Sequence, residues 1–331
     1  MKALRIVAGD PPRLELSDSP MPEPKAGEAL VRVIAAGVNR ADLLQLGGHY
    51  AVPADAPPDI PGLEFAGVVE RLGAHCSGVR VGQRVLGLAN GGAHAQYLVS
   101  PQELLVKIPE TVDDVHAGAV AEAYITAHDA LVTQAGLVPE ERALVHAVAS
   151  SVGIAAVQIA AGAGCPAFGT TRTQDKVDEL TRLSRPPEHL MPTIHFCSPD
   201  TFDREILEHT SGAGVDVILD PVGAAYFERN LAVVAPRGRI VYIGTMGGAR
   251  VTLELGVLLR RRLRLFGTML RGRTLEEKAV ATRAFERDVL PRIATGSIQP
   301  IIDRTFALEQ AADAYAWMAA NRNTGKIVLT V

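Results

Sequence analysis

From about Glu141 to Thr268 the chain repeats one pattern: a short apolar run, a turn, then a stretch with helical spacing. The runs include ALVHAV, PAFGT, TIHF, VDVILD, RIVYIG and LRLFGT; SSVGIAAVQIAA, QDKVDELTRL, TFDREILEHT and AAYFERNLAVVA lie between them. Strands that read as continuous apolar runs are buried on both faces, and the intervening helices supply the cover. The pattern predicts an α/β domain built on a doubly wound parallel sheet of the Rossmann type. Ahead of it, LRIVAG and RLELSD flank the turn Asp10-Pro11-Pro12, and ALVRVIAAGV, LEFAGVVERLG, RVLGL and AQYLV follow with Gly and Pro between them. That texture predicts a compact, partly barrel-like β domain. The tail ends in a strand, KIVLTV, and reads as a return to the first domain. At 331 residues the chain is long for a single core. The expected division is 1–119 plus 269–331 for the β-rich domain and 120–268 for the inserted one, with a cleft where they meet.

The first turn of the inserted domain lies in LVHAVASSVGIAAVQIAAGAG, residues 144–164. A dinucleotide fingerprint would place glycines at 148, 150 and 153, and the chain has Val148, Ser150 and Gly153. The spacing suits a variant turn, Ala147-x-x-Ser150-x-x-Gly153, whose small residues let a phosphate approach. Backbone N–H groups of Ser151, Val152 and Gly153 at the helix start supply an anion site, and the hydroxyls of Ser150 and Ser151 can add donors. An ordinary strand–turn–helix junction is the competing reading. A better literal match, Gly162, Gly164 and Ala167 in GAGCPA, follows a helix and precedes a strand, so it reads as a helix C-cap and loop. At the second strand a NAD-preferring unit carries an acid for the ribose hydroxyls. Here PAFG runs into Thr170, Thr171, Arg172 and Thr173, with Lys176 one turn on, and no acid stands at the tip. Hydroxyls with nearby cations suit a 2′-phosphate, which points to NADP(H); Asp175 counts the other way, and a solvated helix start is the competing reading.

The remaining totals narrow the class. A formal charge of −4 with interspersed signs gives no basic footprint for nucleic acid. No apolar run approaches the length of a membrane span. Three scattered cysteines, Cys76, Cys165 and Cys197, argue against a disulfide framework and for a reducing cytoplasm.

Several segments together resemble the medium-chain dehydrogenase/reductase superfamily, in its zinc-independent quinone oxidoreductase branch, and are similar to the p53-inducible subgroup. They are GVNRADLLQLGGHY (37–50), PGLEFAGVVERLG (61–73), HAVASSVGIAAVQIA (146–160), DPVG (220–223), RIVYIGTMGG (239–248) and GKIVL (325–329). The resemblance covers nearly the whole chain. It implies a GroES-like catalytic domain with an inserted Rossmann domain, and a homodimer joined through an edge strand near VTLELGVLL. Zinc-dependent relatives carry a cysteine at the position of Asn39, Gly-His-Glu where this chain has Gly62-Leu63-Glu64, and a four-cysteine lobe after the position of Gly91. Without these ligands no metal is expected, and His94 and His146 read as structural or hydrogen-bonded turn residues. The chain also departs from the resemblance. Glycines are usual at the positions of Val148 and Ser151. A tyrosine is common near the third Rossmann strand, where Cys197 is the expected occupant.

The same resemblance assigns roles. Asn39 and Tyr50 lie in the segment similar to the substrate cleft and are the candidates for holding the acceptor by hydrogen bonds. Thr126 resembles a position near the nicotinamide, backbone groups of Gly244, Met246 and Thr268 would fix its carboxamide, and Gly223 closes a loop under the ribose. Lys326 resembles a residue that reaches the cofactor phosphates from the tail. For Arg271 and Arg273 a phosphate contact and a solvated pair both stay open. The expected activity is NADPH-dependent reduction of a small quinone without metal. An enoyl-thioester or enone reductase shares the fold and hydride chemistry but would want a long tunnel or basic patch, and RRRLR (260–264) reads instead as a strand with a solvated face. A cofactor-binding protein with little turnover is the third reading.

Overall fold

The computed structural model describes all residues except 55, 184–191 and 193. These residues form two compact units, 1–125 with 271–331 and 126–270, and the first boundary falls inside the helix Ala121–His128.

Among the described residues, the second unit holds a six-stranded sheet in the order His195–Cys197, Ala167–Thr170, Ala143–Val145, Val215–Asp220, Val234–Tyr242, Arg264–Gly267. Every pairing in it is parallel. The strand order is that of a doubly wound dinucleotide fold, whose switch point lies beside the first strand. Leu144, Phe168, Phe202, Ile218 and Ile240 are all nearly inaccessible in its core, which is why these runs show no polar alternation. The sequence pattern is thus realised as a parallel sheet, with a shift at the far edge. VTLELGVLL gives a loop and the helix Leu255–Arg261, and the edge strand is Arg264–Gly267. RRRLR is therefore mainly a helix terminus rather than a strand. Arg260 and Arg261 sit in the last turn, where cations complement the dipole, and Arg262 caps it in the left-handed conformation. GAGCPA ends the helix Ser151–Gly162, with Gly164 left-handed at φ 76.

The first unit is built on a sheet in the order Ile302–Ala307, Lys326–Thr330, Glu28–Val38, Glu64–Leu72, Arg84–Leu88, Leu105–Lys107, with Tyr97–Pro101 also paired to Glu28–Val38. The two tail strands pair in parallel, and Lys326–Thr330 then runs antiparallel to Glu28–Val38, so the tail completes the sheet that the N-terminal segment begins. Glu28–Val38 is central, and its register places two partners beside its end. Val38 faces Ile327 on one side, and Ala36 faces Phe65 on the other. One step further, Lys326 stands opposite Asn39 and Glu64 opposite Gly37. Among the described residues no helix is long and apolar enough to cross a membrane.

Candidate active site

In the second unit the strand Ala143–Val145 turns through 146–149 into the helix Ser151–Gly162, with Ser150 as N-cap. Ser150 Oγ accepts from the Gly153 N–H at 3.1 Å, which fixes the first turn and leaves the serine hydroxyl hydrogen free to donate. A Cβ at Gly153 would lie 2.6 Å from the Ala147 carbonyl oxygen and 2.7 Å from Val148 Cα, so this glycine is required by the close approach of helix and strand. Val148 answers the question raised by its missing glycine. Its side chain is fully buried and packs where a Cβ on Gly169 would meet it at 2.9 Å, so Gly169 in the next strand makes the room. Ala147 takes the left-handed conformation at φ 50. Ser151 and Val152 are half-buried in the first helical turn. The donors, the small residues and the helix N-terminus fit a pyrophosphate. Thr171 is half-buried and Arg172 exposed at the tip of the second strand, with Lys176 half-buried in the following helix, Gln174–Leu183.

Under this turn lies a buried polar chain. Asn230 Nδ2 donates to Asp220 Oδ2 at 2.8 Å, which leaves Asn230 Oδ1 to accept from His146 Nε2 at 2.7 Å. His146 Nδ1 is then the acceptor, and the Thr170 hydroxyl donates to it at 2.9 Å. Burial lowers the His146 pKa, against the pull of Asp220 and the Asn230 bond, and keeps the ring neutral in the tautomer the chain requires. Phe202 and Tyr226 enclose the ring, with centroids at 4.9 and 4.8 Å. Asp220 Oδ1 accepts from the N–H groups of Val222 and Gly223 at 2.5 and 2.9 Å, so the same chain shapes the loop after the fourth strand. Gly223, at φ 82, would meet the Gly248 carbonyl oxygen at 2.6 Å with any Cβ.

Other expected cofactor positions divide. Thr126 is half-buried on the helix Ala121–His128, and Gly244 packs against the Pro221 carbonyl. The N–H groups of Met246 and Thr268 donate to Pro221 O at 3.2 Å and Tyr242 O at 2.9 Å. These two residues can therefore meet a carboxamide through their carbonyl oxygens, not their amides. The Met246 side chain is exposed. Cys197 is buried in the hydrophobic core, and burial pushes its thiol up to about 12, so it packs rather than lining a surface groove.

The first unit holds a second buried network, of opposite character. Lys326, 1% exposed, donates from Nζ to Asn39 Oδ1 at 2.7 Å and to Glu64 Oε1 at 2.5 Å. Asn39 Nδ2 donates to the same Glu64 oxygen at 3.0 Å, and Glu64 Oε2 accepts from the Glu122 N–H at 2.8 Å. Gly37 is bare for this reason, since a Cβ would stand 2.3 Å from Glu64 Oε1. Two expectations change. Lys326 is an interior ammonium held by a carboxylate, not a tail residue reaching for phosphate, because the antiparallel register carries it into the sheet. Asn39 is engaged at both ends of its amide and positions the cluster rather than offering a free donor to an acceptor. Asp42 pins the same corner, accepting from Asn39 N at 2.7 Å and Gly62 N at 3.0 Å; burial raises its pKa. His94 bridges Tyr315 Oη at 3.0 Å and Gly37 O at 3.2 Å. Among the described residues, no three His, Cys, Asp or Glu side chains gather where a metal ion could be held.

Tyr50 lies in this unit with neighbours that the sequence did not single out together. Arg271, 6% exposed, is neither a solvated partner of Arg273 nor on the surface. It donates through Nε and Nη2 to Asn90 O at 3.0 and 2.7 Å, and through Nη2 to Gln45 Oε1 at 2.8 Å. Its guanidinium lies 4.9 Å from the Tyr50 ring centroid. Arg271 Nη1 and Gln45 Nε2 are buried without an acceptor among the described residues. Leaving such a donor unmet costs about 1–3 kcal/mol. Burial, then Glu122, pushes the Tyr50 phenol up to about 12, so it stays a donor. Burial, then Glu64, pushes the half-buried Glu122 carboxyl up to about 8, so it holds its proton at neutral pH. Glu122, Gln45 and the buried setting of Arg271 carry no motif, and only packing discloses them.

Residues 25–110 match the alcohol dehydrogenase GroES-like domain family, and residues 196–329 match the zinc-binding dehydrogenase family. A quinone oxidoreductase of Pseudomonas aeruginosa is 34% identical over 324 residues, 97% of this chain and 96% of that one. A polypeptide of the phenolphthiocerol/phthiocerol polyketide synthase of Mycobacterium tuberculosis is 31% identical over 332 residues. That match takes in 99% of this chain, which spans only 15% of the synthase polypeptide's length. The crystal structure of the CurK enoyl reductase superposes with a TM-score of 0.83 at 26% identity, over 99% of this chain and 98% of that one.

Proposed function

This chain belongs to the medium-chain dehydrogenase/reductase superfamily, whose members are oxidoreductases that bind a nicotinamide cofactor, and from that premise we propose that it is an NADPH-dependent, metal-independent quinone reductase. The observation that carries the reading is the 34% identity to a quinone oxidoreductase along 96% of that enzyme. The NADPH choice is supported by Thr171 and Arg172, at the tip of a second strand that carries no acid.

When bound, the nicotinamide supplies a hydride, which carries two electrons to the acceptor. The chain's residues do the rest. Ser150, Ser151 and Val152 would offer donors to the pyrophosphate at the helix N-terminus, and Thr171, Arg172 and Lys176 would hold the extra phosphate. Lys326, Asn39 and Glu64 fix the end of the central strand, so that the helix Arg40–Leu46 presents Gln45 and leads to Tyr50. A quinone that receives hydride becomes a hydroquinone anion and needs one proton. Tyr50 and the protonated Glu122 are the proton-bearing side chains of this region. Asn39 serves here as a positioning residue. The proposal includes a homodimer joined beside the edge strand Arg264–Gly267, and the exposed Val251, Leu255 and Leu259 near that edge support it.

One observation favours a second reading, reduction of an enoyl thioester or enone: the likeness to CurK enoyl reductase and to a segment of a polyketide synthase. The deciding experiment compares kcat/KM for an ortho-quinone, a para-benzoquinone and a crotonyl thioester, with NADPH and with NADH, in the presence of a chelator. The expected result is turnover of quinones with NADPH, unchanged by chelation. Thioester turnover above quinone turnover would favour the second reading, and cofactor binding without turnover of any acceptor would favour a non-catalytic role.

A further inference from the structure

Arg271 and Gln45 are bonded to each other inside the first unit and still leave two nitrogens over. The guanidinium and the carboxamide are both more than nine-tenths buried, and they share the bond from Nη2 to Oε1 at 2.8 Å. Asn90 O takes Nε and Nη2. What remains, Nη1 of the arginine and Nε2 of the glutamine, faces no protein acceptor among the described residues. Native interiors rarely leave such donors unmet unless another group supplies the acceptor. A permanent cation with planar, oriented donors, beside a neutral amide, selects an oxygen that is negative or becomes so. In this conformation both nitrogens are closed to solvent, and the Tyr50 ring lies across the guanidinium. Tyr50 follows Gly47 and Gly48, and Gly48 is left-handed at φ 71, so the segment carrying the ring leaves the helix at two bare positions.

We propose that Arg271 Nη1 and Gln45 Nε2 are the oxyanion-binding pair of the acceptor site, reached when the Tyr50 ring moves aside, and that they take the phenolate or enolate oxygen of the reduced acceptor. The proposal deepens the reductase reading and rests on it for the identity of the acceptor. It also separates Arg271 from the cofactor phosphates, because the bonds to Asn90 and Gln45 hold its guanidinium inside the first unit. Preorganised donors of this kind each contribute on the order of 100-fold or more in turnover where charge develops on oxygen.

The discriminating variant is Gln45→Glu. It keeps Oε1 as the acceptor that Arg271 Nη2 requires, so a merely structural role is preserved, while Nε2 is replaced by a negative oxygen. Arg271→Lys is the second variant. The probe is 4-nitrophenol, followed by absorbance at a pH about one unit below its pKa in water, with no cofactor and no turnover. In the wild-type chain the bound ligand is expected as phenolate, with its apparent pKa lowered by about one unit or more. In Gln45→Glu that shift is lost, and kcat/KM for quinone falls by roughly 100-fold with the NADPH dissociation constant unchanged. The proposal is overturned if wild type does not bind the phenolate, if Gln45→Glu binds it equally well, or if either variant weakens NADPH binding. Should wild type turn over no quinone or enone, the reductase reading fails while the phenolate result still decides the oxyanion pair.

Discussion

Among the described residues, buried polar networks in the two units are built on opposite principles. Thr170, His146, Asn230 and Asp220 form a chain in which each link has one direction and Asp220 is satisfied by two backbone N–H groups as well. Its histidine is neutral, and its job is to hold the backbone of the dinucleotide turn and the loop after the fourth strand. In the other unit the cluster of Lys326, Asn39, Glu64 and Asp42 is charged, and a second buried group joins Arg271 to Gln45 and Asn90. Burial raises the pKa of Asp42 and Glu122, and among the described residues Arg271 Nη1 and Gln45 Nε2 find no acceptor. A satisfied network rigidifies; the two unmet donors of the first unit are the ones proposed above to take the acceptor's oxygen. On the proposed function, one unit contributes backbone presentation and the other side-chain chemistry.

The largest effect should come from breaking the charged network at its centre. Lys326→Met leaves Glu64 buried without its cation, and a loss of about 3–5 kcal/mol of stability is expected in denaturant unfolding. Adding Glu64→Gln should recover much of that loss. An equal loss in the double variant would mean that packing, not charge, is what Lys326 supplies.

Next is Gly153→Ala in the satisfied half. Its Cβ would press on the backbone of Ala147 and Val148, costing about 1–3 kcal/mol and reducing NADPH affinity at least tenfold by fluorescence titration. Unchanged affinity would show that the turn does not hold the pyrophosphate.

Glu122 sharpens the contrast through pH. Its folded pKa of about 8 lies above the ordinary carboxyl value of 4.5, so the folded state binds the extra proton between those values. Stability from this group is therefore present below about pH 4.5 and is lost as pH rises through about 8. Glu122→Gln should match wild type in acid and exceed it by about 2 kcal/mol near pH 9, a figure discounted for its partial exposure. Parallel pH profiles for the two proteins would contradict the assigned burial of the carboxyl among Glu64, Asp42, Lys326 and Arg271.

The smallest effect is at the surface. Arg172→Ala should narrow the preference for NADPH over NADH by about tenfold, or about 1.4 kcal/mol, in the ratio of dissociation constants. No change would move the 2′-phosphate contact away from the Thr171–Arg172 tip.

How far these networks were legible in the sequence depends on how local their signals are. The parallel sheet was legible because apolar runs alternating with helical spacing report burial residue by residue. The place of Ser150 and Gly153 in the turn was legible because a turn is contiguous. Lys326 reads in the sequence as a phosphate contact, since its partner Glu64 is 262 residues away and only the strand register brings them together. Arg271, next to Arg273, reads as one of a solvated pair until packing shows its burial. Gln45 and Glu122 carry no pattern at all. An unmet donor is a property of the finished interior, and no spacing rule encodes it. RRRLR misled for a related reason: alternation over five residues suits a strand, but the dipole of the helix Leu255–Arg261 claims its first cations.

The central claim, that one network seats the cofactor and the other receives the acceptor, is tested most directly by a paired titration. Wild type, Gly153→Ala and Gln45→Glu are each titrated with NADPH by fluorescence and with 4-nitrophenol by absorbance. The account predicts a double dissociation, in which Gly153→Ala loses NADPH and keeps the phenolate, and Gln45→Glu loses the phenolate and keeps NADPH. Loss of both ligands in either variant, in protein shown to be folded by its thermal transition, would contradict it.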